Sequence, residues 1–325
     1  MRSTIKDIAL RCGVGKATVS RAINNSGYVK EEIKRRILDY VAEVGWEASS
    51  AAAALSTGKH HTVGVMVNSI GYYFNHALLE RLNQKLLDAG YQTMLTIRSN
   101  REELERYRNR QVDGVVIFAP TPDMAETIRG LQDDGVKVVV VGSVWELNCP
   151  AVFSDKERVG REAMELCLDS TSRRILYLGM ENAAPESCAD RGERCLRSGL
   201  ATAAAGRGRV FDILGSGELE RLDAMLRSGD YGACVCYTVQ NLIRLYARCR
   251  ELGVGIPGDL AVVGVEGDDF FAALNPVPTH FVHDYERFAA KVVELLFNEP
   301  PHSHAEGIVP YLFVPGQSLG VNSAC

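Results

Sequence analysis

The sequence contains no run of eighteen apolar residues, which excludes a membrane-spanning helix. It has no apolar stretch near its start of the kind that directs export, and folded-looking sequence begins by Thr4, so a cytoplasmic location is expected. None of the nine cysteines forms a C-x-x-C pair, which fits a reducing compartment and offers no zinc-like ligand spacing. The closest pair, Cys234 and Cys236, alternates along an apolar stretch and reads as small core residues. There is no G-x-S-x-G, no H-E-x-x-H and no P-loop, so no catalytic constellation is legible and no enzyme activity is expected. His60-His61 and His302-Ser303-His304 fall in linker and loop and read as solvated side chains; neither a metal nor a cofactor is expected.

What is present is a chain of 325 residues, long enough for two or three domains, with 46% apolar residues to build cores. The net charge of −5 is unevenly spread: residues 1–36 hold nine Lys/Arg against three acids, so a +6 head precedes a body of −11. A basic head on an acidic body favours a polyanion at one end. Within that head, Ile5, Ile8, Ala9 and Cys12 share one helix side. Gly13 follows where positive φ is needed, and Val14, Val19 and Ile23 give a second helix its apolar face. This is helix-turn-helix spacing. The second helix turns Lys16, Ala17, Thr18, Ser20, Arg21 and Asn24 outward, where they can reach base edges or phosphates in a major groove. A third helix is predicted over 30–44, with Ile33, Ile37, Tyr40, Val41 and Val44 at helical spacing.

The run Thr4-Ile5-Lys6-Asp7-Ile8-Ala9, then Gly13-Val14-Gly15, then Thr18-Val19-Ser20-Arg21-Ala22-Ile23-Asn24 resembles the DNA-binding head of the lactose-repressor (LacI/GalR) family. Gly15 departs from the family's usual capping serine, at a cost of a few tenths of a kcal/mol. The resemblance implies an N-terminal three-helix domain over residues 1–47, then a hinge helix or linker over 48–60. It also implies DNA contacts from Thr4, Lys16, Ala17, Thr18, Ser20, Arg21, Asn24 and, in the hinge, Ala52 and Leu55. Leu55 aligns with the family's minor-groove wedge. The family's usual Pro near Ala48 and Arg near Ala53 are missing.

From His61 onward apolar strands alternate with amphipathic helices, the pattern of a parallel sheet covered on both faces. Strands are predicted over 62–67, 91–97, 112–118 and 136–141, with helices over 75–89, 101–110 and 123–134. A second lobe follows with strands near 174–178, 233–237, 260–265, 281–283 and 311–314, and helices over 191–205, 238–252 and 286–297. Residues 61–325 resemble the family's bilobed, periplasmic-binding-protein-like (type I) effector domain. The matches are Gly90-Tyr91, Val112-Asp113-Gly114-Val115-Val116, Ser154-Asp155, Leu252-Gly253, Ile256-Pro257-Gly258-Asp259 and Pro276 with Thr279. The expected fold is thus α/β, with a helical head and two parallel sheets.

Ligands of such sheets sit beyond the C-terminal strand ends, here in a cleft between lobes. Asn68, Tyr72, Tyr73 and Phe74 follow the first strand, where aromatics suit stacking on a sugar ring or base, or plain packing. Trp145 follows the fourth strand. By resemblance, Arg191 binds effector hydroxyls or a carboxylate, Thr238 replaces a ligand-reading asparagine, and Glu266, or Asp268 after a loop slip, supplies an acid. The expected function is a ligand-responsive transcription regulator, a homodimer on a pseudo-palindromic double-stranded DNA operator. Its effector is expected to be sugar-like. The alternatives are a body that answers a partner protein, and a solute-binding module or sugar-processing enzyme. No membrane partner is expected.

Overall fold

The computed structural model describes residues 4–45, 59–109, 112–142, 147–180, 188–215, 217–267 and 269–320. Residues 1–60 and 61–325 are two compact units. In the first, helices α1 (Ile5–Arg11), α2 (Lys16–Asn24) and α3 (Glu31–Glu43) close on Ile8, Ala9, Cys12, Val19, Ala22 and Ile37, all buried. Thr4 starts α1 with a reciprocal cap. Its hydroxyl accepts from the Asp7 amide at 3.3 Å, and the Asp7 carboxylate accepts from the Thr4 amide at 2.8 Å. The Thr4 hydroxyl, which also donates to Asp7 Oδ2, and the Thr4 amide together hold the Asp7 carboxyl below the ordinary carboxylate range. Gly13, at φ +63°, lets the chain leave α1 in a conformation that a side chain would resist. Gly15 stands at the N-cap of α2 with no side-chain bond.

The larger unit runs β1 (Thr62–Val67), α4 (Tyr73–Asp88), β2 (Gln92–Ile97), α5 (Arg101–Glu105), β3 (Gly114–Phe118), α6 (Ala125–Asp133), β4 (Lys137–Val141), β5 (Ala151–Ser154), α7 (Lys156–Ser170), β6 (Arg174–Gly179), α8 (Cys188–Gly206), β7 (Phe211–Gly215), α9 (Leu219–Ser228), β8 (Tyr231–Cys236), α10 (Val239–Leu252), β9 (Ala261–Gly264), β10 (Thr279–His283), α11 (Tyr285–Asn298), β11 (Glu306–Val309) and β12 (Tyr311–Val314). One sheet has the order β11-β5-β4-β3-β1-β2 and is parallel throughout. The other, β12-β10-β9-β8-β6-β7, is parallel except for β12, which runs antiparallel to β10. The inner strands are buried on both faces, as continuous apolar runs such as Gly114–Phe118 and Tyr231–Cys236 require. Helices α4 and α11 cover one face of the first sheet, and α7 and α8 one face of the second. Cys234 and Cys236 lie in the second core with their sulfurs 3.9 Å apart, as free thiols.

Two predicted helices are shorter than their periodicity implies. Over 101–110, α5 gives way to a 3₁₀ turn at Arg106–Asn109, which turns Tyr107 inward so that its hydroxyl donates to Thr96 Oγ1 at 2.7 Å. Over 123–134, a 3₁₀ turn at Pro122–Met124 precedes α6. Strands β5, β7 and β11 and helices α7 and α9 were not predicted. The three strands have four or five residues, and the core positions of α7 (Val159, Gly160, Ala163, Met164, Cys167) are mostly small, so neither gives a strong periodic signal.

The chain passes between the two lobes three times, at Ser154-Asp155-Lys156, His283-Asp284-Tyr285 and Val309-Pro310-Tyr311. The first two crossings have the same construction. Asp155 (φ −73°, ψ 81°) caps α7 by accepting from the Arg158 amide, and Asp284 (φ −76°, ψ 80°) caps α11 by accepting from that of Arg287. Each aspartate therefore ends a strand in one lobe and starts a helix in the other.

Candidate functional site

In the head, Lys16, Ala17 and Arg21 are exposed on α2, and Thr18 and Ser20 are half-buried on the same helix. The fixed core of Val19 and Ala22 keeps that outer face from rotating inward. Thr4 is exposed, but its hydroxyl is committed to the cap of α1, donating to Asp7 Oδ2 at 2.7 Å. The Asn24 side chain, Ala52 and Leu55 lie outside the described residues.

In the larger unit, a cavity of about 190 Å³ opens between the lobes at the C-terminal ends of β1, β3, β4, β5, β8 and β10. Strand ends and helix starts supply its walls because parallel strands leave their last side chains at that edge. Phe118, Phe153 and Phe288 give it apolar surface from the first lobe, and Met180 and Val239 from the second. Tyr72, half exposed, Tyr73 and Phe74 enter at the start of α4. Tyr73 packs against the second-lobe core, and Phe74 sits edge-on to His283 with ring centroids 4.6 Å apart. Asn68 faces the cavity while its Oδ1 accepts from Asn75 Nδ2 at 2.9 Å. Thr238 lines it too and caps α10, accepting from the Asn241 amide at 3.2 Å. That cap is a physical reason for a hydroxyl at this position.

The polar floor is built from the crossings. Lys156, the first residue of α7, donates to the Tyr237 hydroxyl, lies 4.8 Å from the centroid of that ring, and stands 3.7 Å from Glu266 Oε1. Ser154 Oγ and His283 Nδ1 are 3.0 Å apart, and His283 Nε2 is 4.0 Å from Glu266 Oε1. Burial opposes the charge on Lys156, but the oxygens of Tyr237, Tyr311 and Glu266 outweigh it and hold the ammonium well above the usual lysine range. Burial pushes Glu266 up, and the neighbouring His283 and Lys156 more than reverse that, leaving the carboxyl below its ordinary value. Burial lowers His283 despite Glu266, so the imidazole is neutral at pH 7. At neutral pH the floor is therefore one ammonium, one carboxylate and one neutral imidazole.

Of the residues expected in the cleft, Asn68, Tyr72, Tyr73, Phe74, Thr238 and Glu266 are brought together around the cavity. Arg191 is not among its described lining residues; its neighbour Gly192 is, and among the described lining residues the cation is Lys156. Trp145 and Asp268 lie outside the described residues. Sequence reasoning missed Lys156, Ser154 and His283. The available signal was Ser154-Asp155, an aspartate helix cap after an apolar stretch, which marks the end of a strand and so the edge of a cleft.

Comparison with known proteins follows the same division. Residues 4–49 match the family described as bacterial regulatory proteins, lacI family, and residues 168–319 match the periplasmic binding protein-like domain. Catabolite control protein A of Priestia megaterium is 22% identical over 306 residues, covering 91% of this chain and 92% of that protein. The sucrose operon repressor of Streptococcus mutans is 24% identical over 346 residues, covering 98% and 100%. Among solved structures, the lac repressor dimer bound to operator and the anti-inducer ONPF matches with a TM-score of 0.83 at 16% identity, over 98% of this chain and 99% of that one; at such identity the likeness is one of fold.

Proposed function

The chain belongs to the lacI family of bacterial regulatory proteins, and we propose that it is a homodimeric, cytoplasmic repressor whose small-molecule effector binds in the cavity between the lobes. It is a DNA-binding transcription regulator and not an enzyme. The head over 1–47 reads a pseudo-palindromic operator through Lys16, Ala17, Thr18, Ser20, Arg21 and Asn24. A single head makes too few contacts for tight specific binding, hence the dimer. Residues 48–60 are the hinge, with Ala52 and Leu55 toward the minor groove, and residues 61–325 hold effector and dimer mate.

The observation that carries the effector reading is the cavity itself. Aromatic walls and a charge-balanced polar floor meet at the three crossings, where a ligand touching both lobes changes their relative preference. An effector shifts DNA affinity only by binding one lobe arrangement better than the other. A carbohydrate suits aromatic faces combined with a donor–acceptor floor. The test is the melting temperature of the full chain against mono- and disaccharides, sugar acids, sugar phosphates and purines, followed by an operator titration with and without any stabilising compound. A concentration-dependent rise that also alters operator affinity is expected. A flat panel would replace the small molecule with a partner protein.

A further inference from the structure

The described part of the head holds two aromatic residues, and they are placed in opposite ways. Tyr40 on α3 is half-buried, with the Arg11 guanidinium carbon 5.9 Å from its ring centroid. Tyr28, in the loop between α2 and α3, is 86% exposed. A large, half-apolar ring left this open gains nothing from the fold of the head itself, so its use lies in what the head binds.

The loop that carries Tyr28 is held on both sides of it. Asn25 leaves α2 at φ +50°, and the amides of Asn25 and Ser26 both donate to the Arg21 carbonyl. Lys34 Nζ donates to Asn25 Oδ1 at 2.7 Å, which ties the loop to α3. Gly27, at φ +81°, lies against the stem of Arg21: a Cβ there would stand 3.7 Å from Arg21 Cδ. Val29, on the other side, packs on the core of the head. Tyr28 is therefore presented by a fixed turn, beside the outer face of α2 at its C-terminal end.

That place decides what the ring meets. A helix with its side chains is about 10–12 Å across and the major groove is about 12 Å wide, so a helix seated in the groove fills it. The chain that leaves the helix end then passes over the sugar–phosphate edge of the groove. The residues from Asn25 to Val29 are all uncharged, so a contact made there is a neutral one. A phenol suits it: the hydroxyl donates to a phosphate oxygen and the ring lies on the adjoining sugar.

Resting on the reading of α2 as the DNA-reading helix, we propose that Tyr28 is a further DNA-contacting residue, whose hydroxyl donates to a phosphate bordering the groove. It fixes the register of the head on the duplex and reads no base.

The experiment titrates the full chain over a range of salt concentrations against two labelled duplexes, one selected by the full chain from a random-sequence pool and its scrambled counterpart. Tyr28→Phe should weaken binding to both by about threefold to tenfold per head, since one hydrogen bond is lost. Its slope of log affinity against log salt should equal the parent's, because no charge is removed. Tyr28→Lys should steepen that slope by about 0.9 per head, a gain that misfolding cannot produce. Parental affinity of Tyr28→Phe for both duplexes overturns the proposal, and so does a parental salt slope in Tyr28→Lys. Loss confined to the selected duplex also overturns it, and makes Tyr28 a base reader. If the full chain selects no duplex and Arg21→Ala binds the scrambled one as the parent does, the reading of α2 fails, and the proposal with it.

Discussion

Ser154 Oγ and His283 Nδ1 are 3.0 Å apart, and this one buried contact ties together two of the three crossings between the lobes. Each residue is the last of its strand, in different sheets, 129 positions apart in the chain. The bond therefore ties the orientation of the imidazole to the approach of the lobes at their pivot.

Ser154→Ala leaves the imidazole with both nitrogens buried and unmatched. The expected loss is about 1–3 kcal/mol of unfolding free energy, read as a lower urea midpoint with an unchanged slope. A midpoint within error of the parent would show that the contact contributes nothing.

Helices α7 and α8 pack through two glycines. A Cβ on Gly160 would lie 2.2 Å from the Leu196 carbonyl oxygen, and one on Gly199 would lie 2.0 Å from that of Glu157. Backbone cannot yield as a side-chain tip can, so Gly160→Ala should destabilise by about 1–3 kcal/mol or more. Gly206→Ala, at the end of α8 with nothing within 4 Å of the new methyl group, should be neutral or slightly stabilising. Thermal melts of the pair check the contrast; equal melting temperatures would contradict the close packing.

Stability should fall as pH drops below neutrality. His283 and His280 have folded pKa values depressed by burial from the ordinary 6.5, so the unfolded chain binds protons first. Their contribution is complete above about pH 6.5 and is lost progressively below it. The depressed Glu266 adds the same sign of change below its ordinary 4.5. Melting temperature followed from pH 8 to pH 5 (about that span) should decline, and less steeply in His283→Gln. A decline of equal slope in that variant would remove His283 from the effect.

Arg21→Ala should weaken operator binding by about 1–3 kcal/mol with little change on random DNA, as for a bidentate base contact from an exposed recognition-helix arginine. Anisotropy titrations on both DNAs at one salt concentration decide it. Equal loss on the two would make Arg21 a phosphate contact instead.

The head and the alternation of strands and helices were legible because they rest on local spacing. Ile8, Ala9 and Cys12 lie within one turn or so of each other, Gly13 supplies the positive φ, and Val-rich runs announce strands buried on both faces. Short strands such as Ala151–Ser154 and Glu306–Val309 carry too few residues for a period to declare itself. The same limit hid the crossings, since a strand end and a helix cap three residues long has no periodicity.

By itself, then, the sequence determined the domain classes, the helix-turn-helix head and the region from which a cleft is built, since each depends on residues within a few positions of one another. Only the tertiary structure decided the chemistry of that cleft. Asn68, Lys156, Thr238, Glu266 and His283 come from separate strand ends, and Lys156 reaches the cavity because α7 starts at the first crossing, next to Tyr237 and Glu266. That is a property of how two sheets and three crossings are packed, and side chains so distant in sequence acquire their spacing only when the lobes close around them.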